Sequence, residues 1–227
     1  MTGRKSAVPR PPFVVAIDGP AASGKGTLAR RLAERFGLAH LDTGRLYRAT
    51  AALVLDAGLD PADPAAAAAA ARRVDPARLE DQALTTEAVA RASSIVAAIP
   101  AVRDALLQLQ RDFAADPPSG TEGAVLDGRD IGTAVCPGAS VKLFLTAGLE
   151  ARAERRLKEL QQRGSAAIYS DVLQDMKERD ARDSQRRDAP LAVAPDAVII
   201  DTTALDADQV FEQSSDIIAR ALAARRR

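Results

Sequence analysis

The sequence predicts an α/β fold in which a parallel five-stranded sheet is flanked by helices. Three observations carry it. Five short apolar, partly β-branched runs (residues 13–17, 38–41, 124–126, 141–145 and 197–200) are too short for helices and suit buried strands. Longer segments with helical spacing separate them, the alternation that builds parallel sheets. Most of the runs end in a small or acidic residue, with Gly19, Asp42, Asp127 and Asp201 near strand ends. In such sheets ligands bind at the carboxyl ends of the strands, and the first three of these residues are expected to line one crevice.

The first run leads into Gly19, four residues, then Gly24 and Lys25. A helical pattern follows, with Leu28, Ala29, Leu32, Ala33 and Phe36 on one face and Gly37 as its stop. Strand, glycine-bounded loop, lysine and helix form the context of a phosphate-binding loop and place the fold among the P-loop NTPases. Glycines let backbone N–H groups curl around a polyphosphate, the helix N-terminus adds its dipole, and Lys25 reaches the β and γ phosphates. Pro20, Ala21, Ala22, Ser23, Gly26 and Thr27 complete the cradle. One position departs from the general pattern: Gly26 stands where a Ser or Thr usually touches Mg²⁺, with Thr27 next. Magnesium gives up its waters reluctantly and can sit on phosphates without that hydroxyl. The string therefore resembles the loop of nucleoside monophosphate kinases more than that of switch GTPases.

Downstream, a helix is expected from about residue 45 to 57, with Arg48 on the side facing the loop mouth. Arg48 is either a ligand there or half of an ordinary ion pair. Asp63 and Pro64 open a short helix of seven alanines with no chemistry of its own. Helical pattern resumes at Thr86 and is broken by Pro100. Ser94 and Arg103 are polar positions in an Ala/Val/Ile-rich stretch and invite a ligand reading. The third strand ends at Asp127 and continues through Arg129 and Asp130; a carboxylate there suits a magnesium-associated acid. On a helix over 149–162, Arg152, Arg155 and Arg156 share a face and are expected to converge. On a further helix, stopped by Pro190, Arg179, Arg182, Asp183 and Arg186 fall within one third of the circumference. Asp206 with Gln209 is a capping box for the C-terminal helix.

Composition narrows the classes. The 227 residues suffice for one core with a small appendage, and 31 basic against 31 acidic residues call for neither nucleic acid nor an acidic membrane. No run of eighteen apolar residues suggests a membrane span. The single cysteine, Cys136, reads as a buried filler and fits a reducing, cytoplasmic setting. The single histidine, His40, rules out a His-rich metal site and reads as a packing residue. Residues 1–12 are basic and proline-rich, expected to be a flexible tail before a single kinase domain over 13–227. No leftover apolar face is evident, so a monomer is expected.

Taken together, GPAASGKGT, LDTGRLYR, SIVAAIPAVR, VLDGRDIGT, RAERRLKEL, KERDARDSQRRDAPL and DAVIIDTT resemble the bacterial cytidylate kinases, in that family's order, across most of residues 13–205. The resemblance implies phosphoryl transfer from Mg-ATP to CMP or dCMP. It also implies a lid over about 150–188 and a monophosphate-binding region over about 58–100. It assigns the loop to ATP, and Thr43, Arg103 and Asp130 to the neighbourhood of cytosine. Arg48, Arg129 and Arg186 fall to the acceptor phosphate, Ser94, Arg179 and Asp183 to the pentose, and Arg152, Arg155 and Arg156 to the lid. Magnesium would be held mainly by phosphates and water, near Thr27 and Asp127, with no protein metal site of its own. Two departures stand out. Only about a dozen residues, 75–86, replace the small antiparallel sheet that many members carry, and Thr85 stands where the family tends to have arginine. A rival GTP-binding switch would need an NKxD-type string, which the sequence lacks.

Overall fold

The computed structural model describes residues 11–227. Nearly all of the expected N-terminal tail, residues 1–10, therefore lies outside the described residues. Five parallel strands form one sheet in the order β2-β3-β1-β4-β5. They are β1 Phe13–Asp18, β2 Ala39–Asp42, β3 Gly123–Gly128, β4 Val141–Thr146 and β5 Val198–Asp201. The in-register pairing of β2, β3 and β1 sets Asp42 beside Asp127 and Ile17 beside Asp127 at the carboxyl edge.

Helices cover both faces. On one side, α1 Lys25–Phe36 and the C-terminal α8 Ala207–Arg226 bury Leu28, Leu32, Val210 and Ile218 against β1 and β4. Gly37 ends α1 in the left-handed conformation, φ 63°, and its N–H caps two α1 carbonyls. On the other side lie α2 Thr43–Asp56, α3 Pro64–Ala71, α4 Glu87–Val96 and α5 Pro100–Ala115. Pro100 does separate α4 from α5, with a bend of 99°. The alanine helix α3 packs between α2 and α5 and buries Ala67, Ala68, Ala70 and Ala71; methyl groups alone let the three helices approach closely. Residues 75–86 contain two 3₁₀ turns and no strand, as expected from their number.

A helix pair, α6 Leu149–Gln162 and α7 Tyr169–Ser184, stands over the carboxyl edge with a small core of its own: Ala153, Leu160, Val172 and Met176. Here the expected boundary is corrected. α7 ends at Ser184, not near Pro190. Pro190 disfavours helix at the residue before it, Ala189 takes φ 47°, and the Leu191 N–H turns back onto the Asp183 carbonyl at 2.8 Å. Arg186 is thus off the helix. Cys136 is half-buried rather than buried, at the end of a single π-helical turn, Ile131–Val135. Burial pushes its thiol up to about 11, so it is inert. No single helix among the described residues is long and apolar enough to cross a membrane. The edge strand β5 leaves Val198 and Ile199 exposed, a small apolar face that the sequence reading did not anticipate.

Candidate active site

The phosphate-binding loop is built by close approach. Gly19 has φ 148°, and a Cβ there would lie 2.0 Å from the Leu145 carbonyl oxygen, so β1 can leave the sheet beside β4 only at glycine. Ala22 and Gly24 take φ 58° and 92°, which turns the chain into α1. No side chain caps that helix, so its first-turn N–H groups and its dipole face the loop. Lys25 is buried, and its Nζ donates to the Pro20 carbonyl at 2.7 Å. Burial, reinforced by the Arg129 and Arg179 guanidiniums, pushes the Lys25 ammonium down to about 7.

On one side of the loop opens a cavity of about 390 Å³, within the usual size range for small-molecule sites. Lys25, Arg48, Arg129, Arg156 and Arg179 line it, together with Ser94 and Asp127. Its positive groups are under mutual strain. Burial and Arg129 depress the Arg179 guanidinium to about 9, and its Nε is buried without a hydrogen-bond partner. Burial and Arg156 lower Arg48, whose Nη1 donates to the Leu84 carbonyl at 2.9 Å. Uncompensated buried cations of this kind are favourable only when an anion arrives.

Asp183 organises the floor. Arg129 Nε donates to it at 2.8 Å and Arg186 also bonds to it. Burial opposes its ionisation, but the Arg129, Arg186 and Arg179 charges hold its carboxyl down to about 2. Arg103 pairs with Asp130 and lies over the Tyr47 ring at 5.9 Å. Ser94 accepts a 3.0 Å bond from Arg182 Nε. Thr43 donates through Oγ1 to the Asp127 backbone carbonyl at 2.8 Å.

On the other side of the loop a second cavity, about 270 Å³, is lined by Ser23, Gly24, Thr27, Arg155, Thr202 and their neighbours. The α6 arginines therefore do not converge as their spacing suggested. Arg152 is captured by Asp180 through two bonds, 2.7 and 3.2 Å, and also reaches the Ala147 and Ala21 carbonyls. Arg155 bonds to Thr202 and faces the second cavity, while Arg156 pairs with Glu159 at 2.9 Å and faces the first. One helix face thus serves both sides of the loop. Asp201, at the end of β5, turns to its own neighbour Thr203.

The chain matches the sequence model of cytidylate kinase over residues 15–220. The chain belongs to the cytidylate kinase family. Among its relatives, the cytidylate kinase of Rhodospirillum rubrum is 59% identical over 207 residues, covering 91% of this chain and 97% of that one. The cytidylate kinase of Paramagnetospirillum magneticum is 60% identical over 205 residues, and that of Granulibacter bethesdensis 58% over 208, each spanning 97% of the relative. A solved structure of an uncharacterised protein from Eubacterium ventriosum, 14% identical, superposes with a TM-score of 0.50 over 91% of this chain and 98% of that one; it supports the fold alone.

In this member of the cytidylate kinase family, two residues at the site escaped the sequence reading. Asp18, buried at the end of β1, accepts the backbone N–H groups of Ile131 and Gly132, both at 2.7 Å. It ties the strand that feeds the phosphate loop to the turn that carries Arg129 and Asp130. Burial lifts its carboxyl to about 6 despite those two bonds. Its one sequence signal was an acid directly before Gly19. His40, read as packing, contacts Asp127 at 2.8 Å.

Proposed function

We propose that the chain transfers the γ-phosphoryl group of ATP to CMP or dCMP, giving ADP and CDP or dCDP. The observation that carries this reading is the set of buried, mutually repelling cations around one loop, Lys25, Arg48, Arg129 and Arg179, flanked by a cavity on either side. ATP would lie in the second cavity with its phosphates in the 19–27 loop. The acceptor would lie in the larger one.

The acceptor is a phosphate monoester with a second pKa of about 6, mostly dianionic at neutral pH, so no general base is required. The task left to the protein is to bring two anions into line and neutralise charge as it develops. Lys25 would exchange its bond to the Pro20 carbonyl for the transferring phosphates, with Arg156 reaching in from α6. Arg152 and Arg155 would join by leaving Asp180 and Thr202. Arg48, Arg129 and Arg186 would hold the acceptor phosphate, with Asp183 fixing two of them. Arg103, Asp130 and Thr43 would face the base, and Ser94, Arg179 and Asp183 the sugar.

Magnesium fits the residues present. The Thr27 hydroxyl and Asp127 carboxylate supply hard oxygen atoms at the start of α1, and a Cβ on Gly26 would lie 3.9 Å from Asp127 Oδ2. Bound with ATP, the ion would neutralise part of the triphosphate charge. Among the described residues no group of three or more His, Cys, Asp or Glu could hold a metal alone, so phosphates and water would provide most ligands.

The α6–α7 pair acts as the lid and residues 58–100 as the monophosphate-binding region. Arg91 and Asp175, 3.0 Å apart, and the Arg182–Ser94 bond join the two. The protein works as a cytoplasmic monomer. Replacing Lys25 or Arg186 by Ala should lower kcat with CMP by about a hundredfold or more, because a contact to developing charge is worth about 3 kcal/mol. A steady-state assay that finds either variant within threefold of wild type removes that residue from its role.

A further inference from the structure

The chain's one histidine sits on β2, and the pairing of β2 with β3 places His40 opposite Val125 and Asp42 opposite Asp127. His40 and Asp42 are two apart on one strand and so point to one face. The imidazole crosses to β3, and its Nε2 lies 2.8 Å from Asp127 Oδ1. Since a carboxylate oxygen accepts, Nε2 is assigned the proton.

This bond has a directional consequence. The Asp127 main chain is pinned by the Thr43 hydroxyl on its carbonyl, and its side chain is almost fully buried. With Oδ1 engaged by His40, the other oxygen, Oδ2, is the one that faces Gly26 at the start of α1. Gly26 is the position at which phosphate loops generally carry a hydroxyl. The oxygen offered to that spot therefore comes from β3, and its aim depends on a residue of β2.

The surroundings need such a device. Asp42 is beside Asp127, and burial together with the Asp127 charge raises its carboxyl. Arg45 lies 3.8 Å from Asp42, and it bonds elsewhere to the Leu79 carbonyl and Glu80. Lys25 attracts Asp127 from the loop side. The carboxylate thus stands between a neighbouring acid and a neighbouring cation. His40 is the group seen bonded to its side chain.

We propose that His40 is a positioning residue: its Nε2–H fixes the rotamer of Asp127 so that Oδ2 is presented to the metal–nucleotide at the start of α1. This rests on the phosphoryl-transfer reading given above. Partners that orient a metal-associated group typically change metal affinity by ten- to a hundredfold.

The test uses the full chain with His40→Leu, which removes the donor at similar bulk, and His40→Gln, which keeps an N–H. Mn²⁺ binding in the presence of ADP, followed by the free-ion EPR signal, should weaken about tenfold in His40→Leu and recover to within about threefold in His40→Gln. The Mg²⁺ concentration for half-maximal turnover should shift in parallel, while KM for CMP stays within twofold. In an Asp127→Asn background, His40→Leu should add almost nothing, because its effect runs through that carboxylate.

Unchanged Mn²⁺ affinity in His40→Leu, or a full additional loss in the Asp127→Asn background, overturns the proposal. If His40→Leu does not fold, His40→Ala, which likewise removes the donor, gives the same comparison alone and in the Asp127→Asn background. Failure of wild type to phosphorylate CMP would instead strike the underlying reading, whatever the histidine variants do.

Discussion

Lys25 offers a quantitative test of how the loop is poised. Its ammonium is stripped of water by burial and repelled by Arg129 and Arg179, which brings it down to about 7 in the nucleotide-free protein. A polyphosphate supplies negative charge at the same point and restores the ordinary affinity for the proton. Binding must then be coupled to proton uptake. At pH 8 a group of pKa 7 is about 0.9 deprotonated, so ATP should take up about 0.9 proton per site. By the same linkage, ATP affinity should fall about fivefold between pH 7 and 8 and about tenfold more between 8 and 9, where Arg179, depressed to about 9, begins to contribute in the same direction. Calorimetric titration at pH 8 in buffers of different ionisation enthalpy reads the uptake directly. Lys25→Gln should bind more weakly and lose most of the buffer dependence. Heats independent of buffer in the wild type, or a flat affinity from pH 7 to 8.5, would refute the argument that burial and the two arginines hold Lys25 near neutrality.

Other expectations follow from single residues. Gly19→Ala should destabilise the fold by more than about 3 kcal/mol, read from urea unfolding, since its Cβ meets a β4 backbone oxygen; a loss under 1 kcal/mol would mean the strands separate easily. Asp63→Ala should cost about 1 kcal/mol in the same measurement, because the carboxylate caps two N–H groups of α3, with KM for CMP and ATP unchanged. Asp18 gives a pH signature. With its folded pKa raised to about 6 from 3.8, the native state holds the proton more tightly than the unfolded chain, so this group's contribution to stability is greatest below pH 4 and declines as pH rises to 6. The unfolding free energy of wild type minus that of Asp18→Asn should therefore fall by about 2 kcal/mol between pH 4 and 6, and by about 3 kcal/mol over the wider range from about pH 3 to 7; a flat or rising difference contradicts it.

What the sequence disclosed and what it withheld divide along chain distance. The capping box at Asp206 and Gln209, the Asp63–Pro64 helix start, Gly37 as a stop and the bounds of α6 are local, set by residues within one or two turns. The loop from Gly19 to Thr27 is local as well. Ion-pair partners are not. Asp180 captures Arg152 from 28 residues away and His40 meets Asp127 across 87, and helical periodicity says only which face a guanidinium leaves from. For that reason three arginines of one stripe were expected at one point and are found at separate partners. The end of α7 failed for a related cause: Arg186 continues the helical spacing, but the left-handed Ala189 and the Leu191 N–H return fold it back onto Asp183. Asp18 was hidden because its two partners are backbone N–H groups more than a hundred residues away.

The most direct test of the central claim is acceptor-dependent ADP release from Mg-ATP, measured with CMP, dCMP, UMP and AMP side by side and with no acceptor. The arrangement of Arg103 and Asp130 beside Tyr47, with buried cations ready for the acceptor phosphate, predicts rapid release with CMP and dCMP. It predicts slow release with AMP and little without acceptor. Comparable rates with UMP would show that the two 3₁₀ turns at 76–85 leave base selection incomplete. ATP binding without turnover on any monophosphate would contradict the account.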